Sequence, residues 1–325
     1  MKTIQFTQMA LTYSCILATL VACVGHETEL EPMEKTPVAI TASISGEVVT
    51  KANQNYQPTN GEKKIYMYYK DGSNSKSNEK GVYTYSSGWS ADLSGTSIFW
   101  DDLDAVGGNY PFFAVSPKDL NNLTENSVEQ DQSSANSFTN SDLLMAYTPN
   151  TAKKGNVPLT FKHMLAKLTV KVKVGAITNF SSSAVTIQNA KKEYTVDYTE
   201  PTPSTATPAT VVVKSNATPA NLTPHSEGDE TYESSKTIKV YSVILPAQDI
   251  SSTAAKVKTT ITVGSTSNSY TYAPTLPTSP VTLENGKHTT LTLTIDGTGV
   301  ELNNIQVTDW TTATADGNIS IDTTP

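Results

Sequence analysis

The chain has 325 residues, of which 37% are apolar, and its 23 basic residues against 31 acidic ones give a formal net charge of −8. Such an acidic chain is poorly suited to binding a phosphate backbone, so we expect no nucleic-acid partner. Every basic residue is a lysine, because the sequence contains no arginine. A chain of 325 residues exceeds the usual size of a protein with one hydrophobic core, and two domains are therefore the first expectation.

Residues 1–22 predict a signal peptide. Lys2 supplies a positive charge, and the apolar run at 10–22 is too short to span a bilayer. The sequence LVAC at 20–23 resembles the lipobox of bacterial lipoproteins, in which the cysteine is acylated and the bond before it is cut. We therefore expect Cys23 to be the lipidation site. The alternative is an ordinary secretory peptide that is cut near Ala22.

An acidic segment follows the lipobox. Residues 23–36 contain Glu27, Glu29, Glu31 and Glu34 and predict a solvated tether. An acidic run just behind a lipidated cysteine resembles the surface-export signal of Gram-negative bacteria that display lipoproteins outside the cell, and a simple linker is the alternative. The expected location is the outer membrane or the cell surface.

From residue 37 onward, strand patterns dominate. Apolar and polar residues alternate with a period of two, and Val38, Ile40 and Ile44 share one face of the first predicted strand, 37–50. Amphipathic helical patterns are nearly absent. The sequence therefore predicts an all-β protein with two antiparallel β-sandwich domains in tandem, an N-terminal domain at 37–165 and a C-terminal domain at 166–325.

Two polar segments predict loops. Residues 121–141 are rich in Asn and Ser, and residues 200–232 are rich in Pro, Thr and Ser. Neither composition offers enough apolar surface to offset the entropy of ordering.

Residue types that commonly take part in catalysis or metal binding are scattered along the sequence. The histidines have no metal-ligand spacing, and neither a G-x-S-x-G elbow nor a phosphate-binding glycine loop is present. Asp101-Asp102 and the pair Asp296 and Glu301 come closest to the paired carboxylates of a glycosidase, but acidic loop residues are common. His163, at the end of a predicted strand, is interpreted as a structural histidine at the domain junction. We expect no catalytic residues, no metal and no cofactor.

Several motifs together resemble the fimbrillin family, the major and minor subunits of type V pili. In chain order they are the lipobox, VTKA (49–52), IFW (98–100), YPFFAVSP (110–117), DLLMA (142–146), VPLTFKHMLAKLTVKV (157–172) and IQVTDW (305–310). The resemblance covers the whole chain. It implies two transthyretin-like β-sandwiches and a structural or adhesive role in a surface fimbria.

The resemblance also implies an assembly mechanism. A protease removes the lipid-bearing segment together with the first strand, here 23–51, and a strand of another subunit fills the vacated groove. In the best-known members this protease cuts after arginine. Because this chain has none, we expect cleavage between Lys51 and Ala52 by a protease with lysine or broader specificity. The candidate donor strand is the C-terminal end, with Ile305, Val307, Ile319 and Ile321.

Three alternatives remain open at this point. The chain is an unprocessed anchor or accessory subunit of the pilus, or a surface glycan-binding lipoprotein, or, least favoured, an enzyme. Paired exposed aromatic residues would favour the second, and the candidates are Trp89, Trp100 and Tyr110, although Trp100 and Tyr110 lie in the core-strand motifs of the family. The expected partners are other pilus subunits, the outer membrane through the lipid anchor, and a host or bacterial surface ligand.

Overall fold

A computed structural model describes residues 35–45, 64–69, 79–86, 88–92, 97–119, 126–174, 180–198, 209–232, 236–263, 265–274, 279–296 and 299–310. The chain divides into two units, Met1–Lys35 and Thr36–Pro325, and all described residues except Lys35 belong to the second. The predicted signal peptide and acidic tether thus lie almost wholly outside the described residues. A domain boundary near Ala166 stays a prediction.

The described residues are nearly all β-structure, as predicted. The N-terminal strands are β1 (Ile40–Ile44), β2 (Lys64–Tyr69), β3 (Glu79–Tyr85), β4 (Trp89–Ala91), β5 (Phe112–Ser116), β6 (Asn126–Ser127), β7 (Leu144–Thr148) and β8 (Val157–His163). The C-terminal strands are β9 (Ala166–Val174), β10 (Phe180–Lys191), β11 (Glu193–Tyr198), β12 (Ala209–Val213), β13 (Pro219–Leu222), β14 (His225–Tyr232), β15 (Lys236–Leu245), β16 (Asp249–Ile250), β17 (Lys256–Val263), β18 (Thr266–Tyr272), β19 (Val281–Thr282), β20 (Lys287–Ile295) and β21 (Val300–Asp309). A 3₁₀ turn, Trp100–Asp102, and a short helix α1, Ala135–Asn140, complete the set.

One seven-stranded sheet, in the order β1-β8-β7-β5-β2-β3-β4, surrounds the first hydrophobic core. Its pairs are antiparallel except for β1 and β8, which run parallel. Alternate side chains point into the core, as the period of two requires. Residues next to the edge strand β1 also pair with a distant segment, since Val38 N–H donates to Ile98 O (2.9 Å) and Trp100 N–H donates to Thr36 O (2.9 Å).

The second core lies among the C-terminal sheets, which are built from the strands from Ala166 onward together with β6. These are a five-stranded sheet (β14-β15-β9-β20-β21), a four-stranded sheet (β13-β10-β17-β18), a three-stranded sheet (β12-β11-β6) and the pair β16-β19. Pairing is antiparallel except between β9 and β20. The sheets are therefore predominantly antiparallel, as predicted, with one parallel ladder on each side of Ala166.

Strand β5 connects the two cores. All five of its residues are buried, with Phe112 and Ala114 in the first core and Phe113 and Val115 in the second. The second core therefore extends onto the back of the seven-stranded sheet. This explains why FFAV at 112–115 is apolar at four consecutive positions instead of alternating, because a strand that is covered on both faces favours apolar residues on each of them. The fifth residue, Ser116, is also buried, and its hydroxyl donates to Lys64 O (2.8 Å).

The prediction that residues 121–141 and 200–232 are loops was wrong for much of both segments. The first contains β6 and α1, whose N-cap Ser134 accepts a hydrogen bond from Ser137 N–H (3.0 Å). The second contains β12, β13 and β14. The error arises because pairing with a neighbouring strand satisfies the backbone of a polar segment without requiring much apolar surface.

Gln132 shows how a polar segment is fixed. Its side chain is fully buried, where Nε2 donates to Ile244 O (2.8 Å) and Oε1 accepts from Ile244 N–H (2.9 Å). The backbone N–H of Gln132 donates to Thr223 O (2.9 Å). Gln132 thus provides β15 with the hydrogen bonds that a neighbouring strand normally supplies.

Replacing Gln132 with Ala should lower the free energy of unfolding by about 2–4 kcal/mol, because it leaves the buried N–H and C=O of Ile244 without partners. Urea denaturation measures the change. The control is Gln306→Ala, which removes an exposed glutamine side chain and should shift the free energy by less than about 0.5 kcal/mol. Equal effects of the two substitutions would contradict this role of Gln132.

Candidate functional site

The predicted first strand lies at the edge of the seven-stranded sheet with its apolar face in the first core. Val38 is 1% exposed, and Ile40 and Ile44 are each 6% exposed. Ala42, between the two isoleucines on the same face, is also buried. The three side chains predicted to fill the groove therefore all contribute to the core.

β8 holds β1 in register along its whole length. Ile40, Ala42 and Ile44 lie beside Val157, Leu159 and Phe161, in that order, and all three partners on β8 are fully buried. The ladder is closed at its ends by Val157 N–H to Ala39 O (2.9 Å) and Ser45 N–H to Phe161 O (2.7 Å). Removing β1 would expose the apolar face of these partners and a row of backbone groups on β8.

Aromatic side chains form much of the opposite wall. The Tyr83 hydroxyl donates to Val38 O (2.9 Å), and burial raises the pKa of Tyr83 well above its usual value, which keeps that donor protonated. Trp100 packs edge-on against Tyr110 (ring centroids 5.4 Å apart) and Phe112 (5.7 Å). These rings pack on one another within the same core as the side chains of β1.

The same packing bears on the aromatic residues considered for glycan binding. Trp100 is 1% exposed and Tyr110 is 8% exposed, and both belong to the first core. Trp89 is half-buried, packs against that core and contacts Tyr85 edge-on at 5.4 Å. Trp100 and Tyr110 are therefore core residues and do not form an exposed aromatic platform.

β21 contains the first two predicted donor residues. Ile305 and Val307 lie beside Leu291 and Thr289 of β20, yet they are 45% and 50% exposed, because β21 is the edge strand of its sheet. Both residues are thus part of the protein's own sheet. Ile319 and Ile321 lie outside the described residues, as do Cys23, Lys51 and Ala52.

The end of β21 is fixed to the N-terminal part of the fold by an aromatic stack. The rings of Trp310 and His163 are nearly parallel, with centroids 3.9 Å apart and planes inclined by 8°. Trp310 N–H donates to Gly286 O (3.0 Å), and His163 Nδ1 lies 3.0 Å from Asp142 Oδ1. We call Trp310, His163 and Asp142 the C-terminal clasp.

Gly286 lets the chain pass close to the clasp. Its φ of +72° is in the left-handed region, and a Cβ there would approach His163 O to 3.3 Å. Its N–H donates to Leu165 O (2.8 Å). The clasp therefore joins β8, which carries β1, to the start of the C-terminal segment. The sequence pointed to His163 as a junction residue but gave no sign of its partner Trp310.

The described residues give little support to catalysis. One residue of each acidic pair considered earlier has a structural contact, since Asp101 Oδ2 accepts from Thr36 N–H (2.8 Å) and Asp296 Oδ1 accepts from Gly299 N–H (3.1 Å). Within the described ranges, no group of three or more His, Cys, Asp or Glu side chains is placed to hold a metal ion. None of the helices in those ranges has the length and apolar character needed to cross a bilayer.

Replacing Trp310 with Ala should lower the free energy of unfolding by about 3–5 kcal/mol, because it removes a buried aromatic ring. Trp310→Phe, which keeps an aromatic ring on His163, should recover at least half of that loss. Urea denaturation with tryptophan fluorescence measures both changes. If the two variants were equally destabilised, the stack with His163 would not be what fixes the end of β21.

Comparison with known proteins shows which family this chain resembles and which solved structures share its fold. A family model described as fimbrillin-like matches residues 50–310, and no curated protein matches the chain. The fold is similar to the crystal structure of a candidate cell adhesion protein from Bacteroides ovatus ATCC 8483, with a TM-score of 0.58 and 17% identity over 86% of this chain and 99% of that one. A second such protein, from Bacteroides uniformis ATCC 8492, has a TM-score of 0.55 and 19% identity over 85% and 98% of the two chains. Since the family model spans well over half of its 325 residues, the chain belongs to the fimbrillin-like family.

Proposed function

We propose that this protein is a structural subunit of a surface pilus that polymerises by exchanging its first strand for a strand of a neighbouring subunit. The general role follows from the family, whose members are structural and adhesive pilus subunits and not enzymes. Processing and strand exchange are our proposal for this chain. The observation that carries it is the position of β1, an edge strand that completes a hydrophobic core.

Two properties make β1 separable from the rest of the fold. It is paired with a single strand of the sheet, β8, and it lies near the N-terminal end of the described chain. A cut between Lys51 and Ala52 would leave β1 attached only by non-covalent contacts, since Lys51 follows Ile44 in the sequence. Its buried apolar side chains each stabilise the core by about 1.5–3 kcal/mol, so the vacated groove would strongly favour a replacement strand.

The donor is the segment that follows Trp310. β21 is hydrogen-bonded to β20 along its length, and the C-terminal clasp holds its end, so Ile305 and Val307 would have to leave a formed sheet in order to act as donors. Ile319 and Ile321 follow the C-terminal clasp in the sequence, so in the proposal they donate without separating β21 from β20. Their spacing of two residues matches adjacent sites on the buried face of the first strand, such as those of Val38 and Ile40.

Export precedes assembly in this proposal. Acylation of Cys23 anchors the subunit in the outer membrane, and the acidic tether at 23–36 lets it reach the cell surface. Cleavage after Lys51 then releases the subunit from its lipid and opens the groove in one step. The mature subunit becomes part of the fimbrium, and its partners are other pilus subunits.

An unprocessed anchor or accessory subunit is the second candidate. It is favoured by one observation, the absence of arginine, because the family protease described for the best-known members has no residue of its usual type to cut after. In that case Cys23 and β1 stay on the mature protein.

Replacing Lys51 with Gln should abolish both processing and polymerisation. The measurement is N-terminal sequencing of material sheared from intact cells, together with electrophoresis without boiling so that polymers persist. We expect a ladder of wild-type subunits that begin at Ala52. Lys35→Gln is the matched control, because it removes a lysine on the other side of β1 and should leave the ladder intact. Wild-type protein that begins at an acylated Cys23 would favour the unprocessed anchor instead.

Replacing Ile319 and Ile321 together with Asp should abolish the ladder without affecting cleavage, because charged side chains cannot enter the pockets of the groove. Ser320→Asp is the matched control, since its side chain alternates to the opposite face of the donor strand. We expect the control to polymerise within a factor of two of wild type. Loss of the ladder in Ile305→Asp, with a normal ladder in the double variant, would assign the donor to β21.

A further inference from the structure

A groove runs over the outer face of the five-stranded sheet, on the side of β9, β15 and β20 that is opposite to the second core. Its volume is about 490 Å³. Its floor is formed by the outward side chains of Thr169, Ser242 and His288, and Val240 contributes an apolar surface beside them. The volume lies within the range of small-molecule sites. Neither the first-strand groove nor the donor segment uses these residues.

The floor of the groove is a polar network. Thr169 Oγ1 lies 2.8 Å from Ser242 Oγ and 2.8 Å from His288 Nε2. Outward side chains of a sheet that faces water are normally exposed, yet Thr169 is 5% exposed and Ser242 is 1% exposed. These hydroxyl and imidazole groups therefore keep fixed orientations, which is what recognition of a ligand by hydrogen bonds requires.

The charges around the groove are balanced. Lys167 pairs with Glu227 (3.4 Å) and Lys171 pairs with Glu230 (2.7 Å), so two ion pairs lie along one side.

Two further ionisable groups, Asp309 and His288, line the groove and add no net charge to it. Asp309, on the opposite side of the groove, pairs with Lys287 (2.5 Å). Burial, with a contribution from Lys167, lowers the pKa of His288 to about 4, so its ring is neutral at pH 7. The groove therefore offers no unpaired charge to a strongly acidic or basic ligand.

We propose that this groove binds a neutral oligosaccharide. Hydroxyls, a neutral imidazole and ion-paired carboxylate and ammonium groups are donors and acceptors that match sugar hydroxyls, and Val240 offers a surface for the apolar face of a ring. The site makes the subunit a sugar-binding protein as well as a structural one. The proposal does not depend on strand exchange, because every residue of the groove belongs to the folded C-terminal sheets.

The test is binding of the soluble, unpolymerised full-length protein to immobilised oligosaccharides. The probes are neutral glycans that end in galactose, mannose or N-acetylglucosamine, and charged glycans that end in sialic acid or carry sulfate. Two substitutions, Thr169→Val and Ser242→Ala, remove the floor hydroxyls with almost no change in side-chain volume. The matched control is the pair Thr260→Val and Ser269→Ala, which removes a similar hydroxyl contact (3.0 Å) from the exposed face of β17 and β18.

We expect wild type and the control to bind at least one neutral glycan, and the groove variant to bind it at least tenfold more weakly while melting within 3 °C of wild type. A groove variant that melts lower is replaced by Thr169→Val alone, which should show the same direction of loss, and Thr169→Ser, which keeps the hydroxyl, should retain binding. Three results overturn the proposal: no binding of neutral glycans by wild type, binding of charged glycans only, or equal loss in the groove and control variants. None of them affects the pilus assignment, which is tested by the ladder of polymer bands in electrophoresis without boiling.

Discussion

The parallel pairing of β1 with β8 is the interaction on which the rest of the structure depends. β1 contributes a stripe of apolar side chains to the first core, and its backbone is held in the sheet on the side of β8. It is therefore essential to the core and yet lies at the edge of the sheet. A strand with both properties can be lost only if another strand of similar pattern takes its place, because the exposed core would otherwise be a site of aggregation.

The two cores are not independent of each other. β5 buries alternate side chains in both cores, and Gln132 supplies β15 with hydrogen bonds from a segment that precedes β7. The C-terminal clasp adds a third connection, from β8 to the end of β21. As a result, β8 pairs with β1, the strand that is lost in the proposed processing, and through His163 it also contacts Trp310, after which the proposed donor segment begins. The same strand therefore contacts both the first-strand groove and the residue that precedes the proposed donor segment.

The sequence predicted much of this architecture because most strands alternate between a buried and an exposed face. The pattern at Val38, Ile40 and Ile44 gave the correct burial of the first strand. His163 was interpreted as a structural histidine, and it is buried beside Asp142 and Trp310. The pattern failed where burial is not carried by apolar side chains. Gln132 is fully buried through hydrogen bonds to Ile244, and nothing in a polar segment marks such a residue.

A similar limit applies to the candidate sites. The parallel direction of β1 and β8 depends on a long-range topology that alternation cannot encode. Thr169 and Ser242 have the outward positions of ordinary surface residues, and their burial and their hydrogen-bond network with His288 appear only when three strands are brought side by side. The C-terminal clasp likewise needs two residues that are far apart in the sequence. Local sequence patterns therefore predict the strands, whereas the candidate sites are formed by contacts between distant strands, which these patterns do not encode.

The separation of surfaces has a consequence for a polymerising subunit. The first-strand groove belongs to the seven-stranded sheet, whereas the proposed sugar groove lies on the outer face of the five-stranded sheet. Filling one groove does not require residues of the other, so the proposed strand exchange would leave the residues of the sugar groove in place. The exposed Ile305 and Val307 point to the opposite side of β21 from Gln306 and Thr308, which line the sugar groove. If both proposals hold, a fibre would carry one sugar groove per subunit, and the repeated sites would bind a multivalent glycan surface more tightly than a single subunit does.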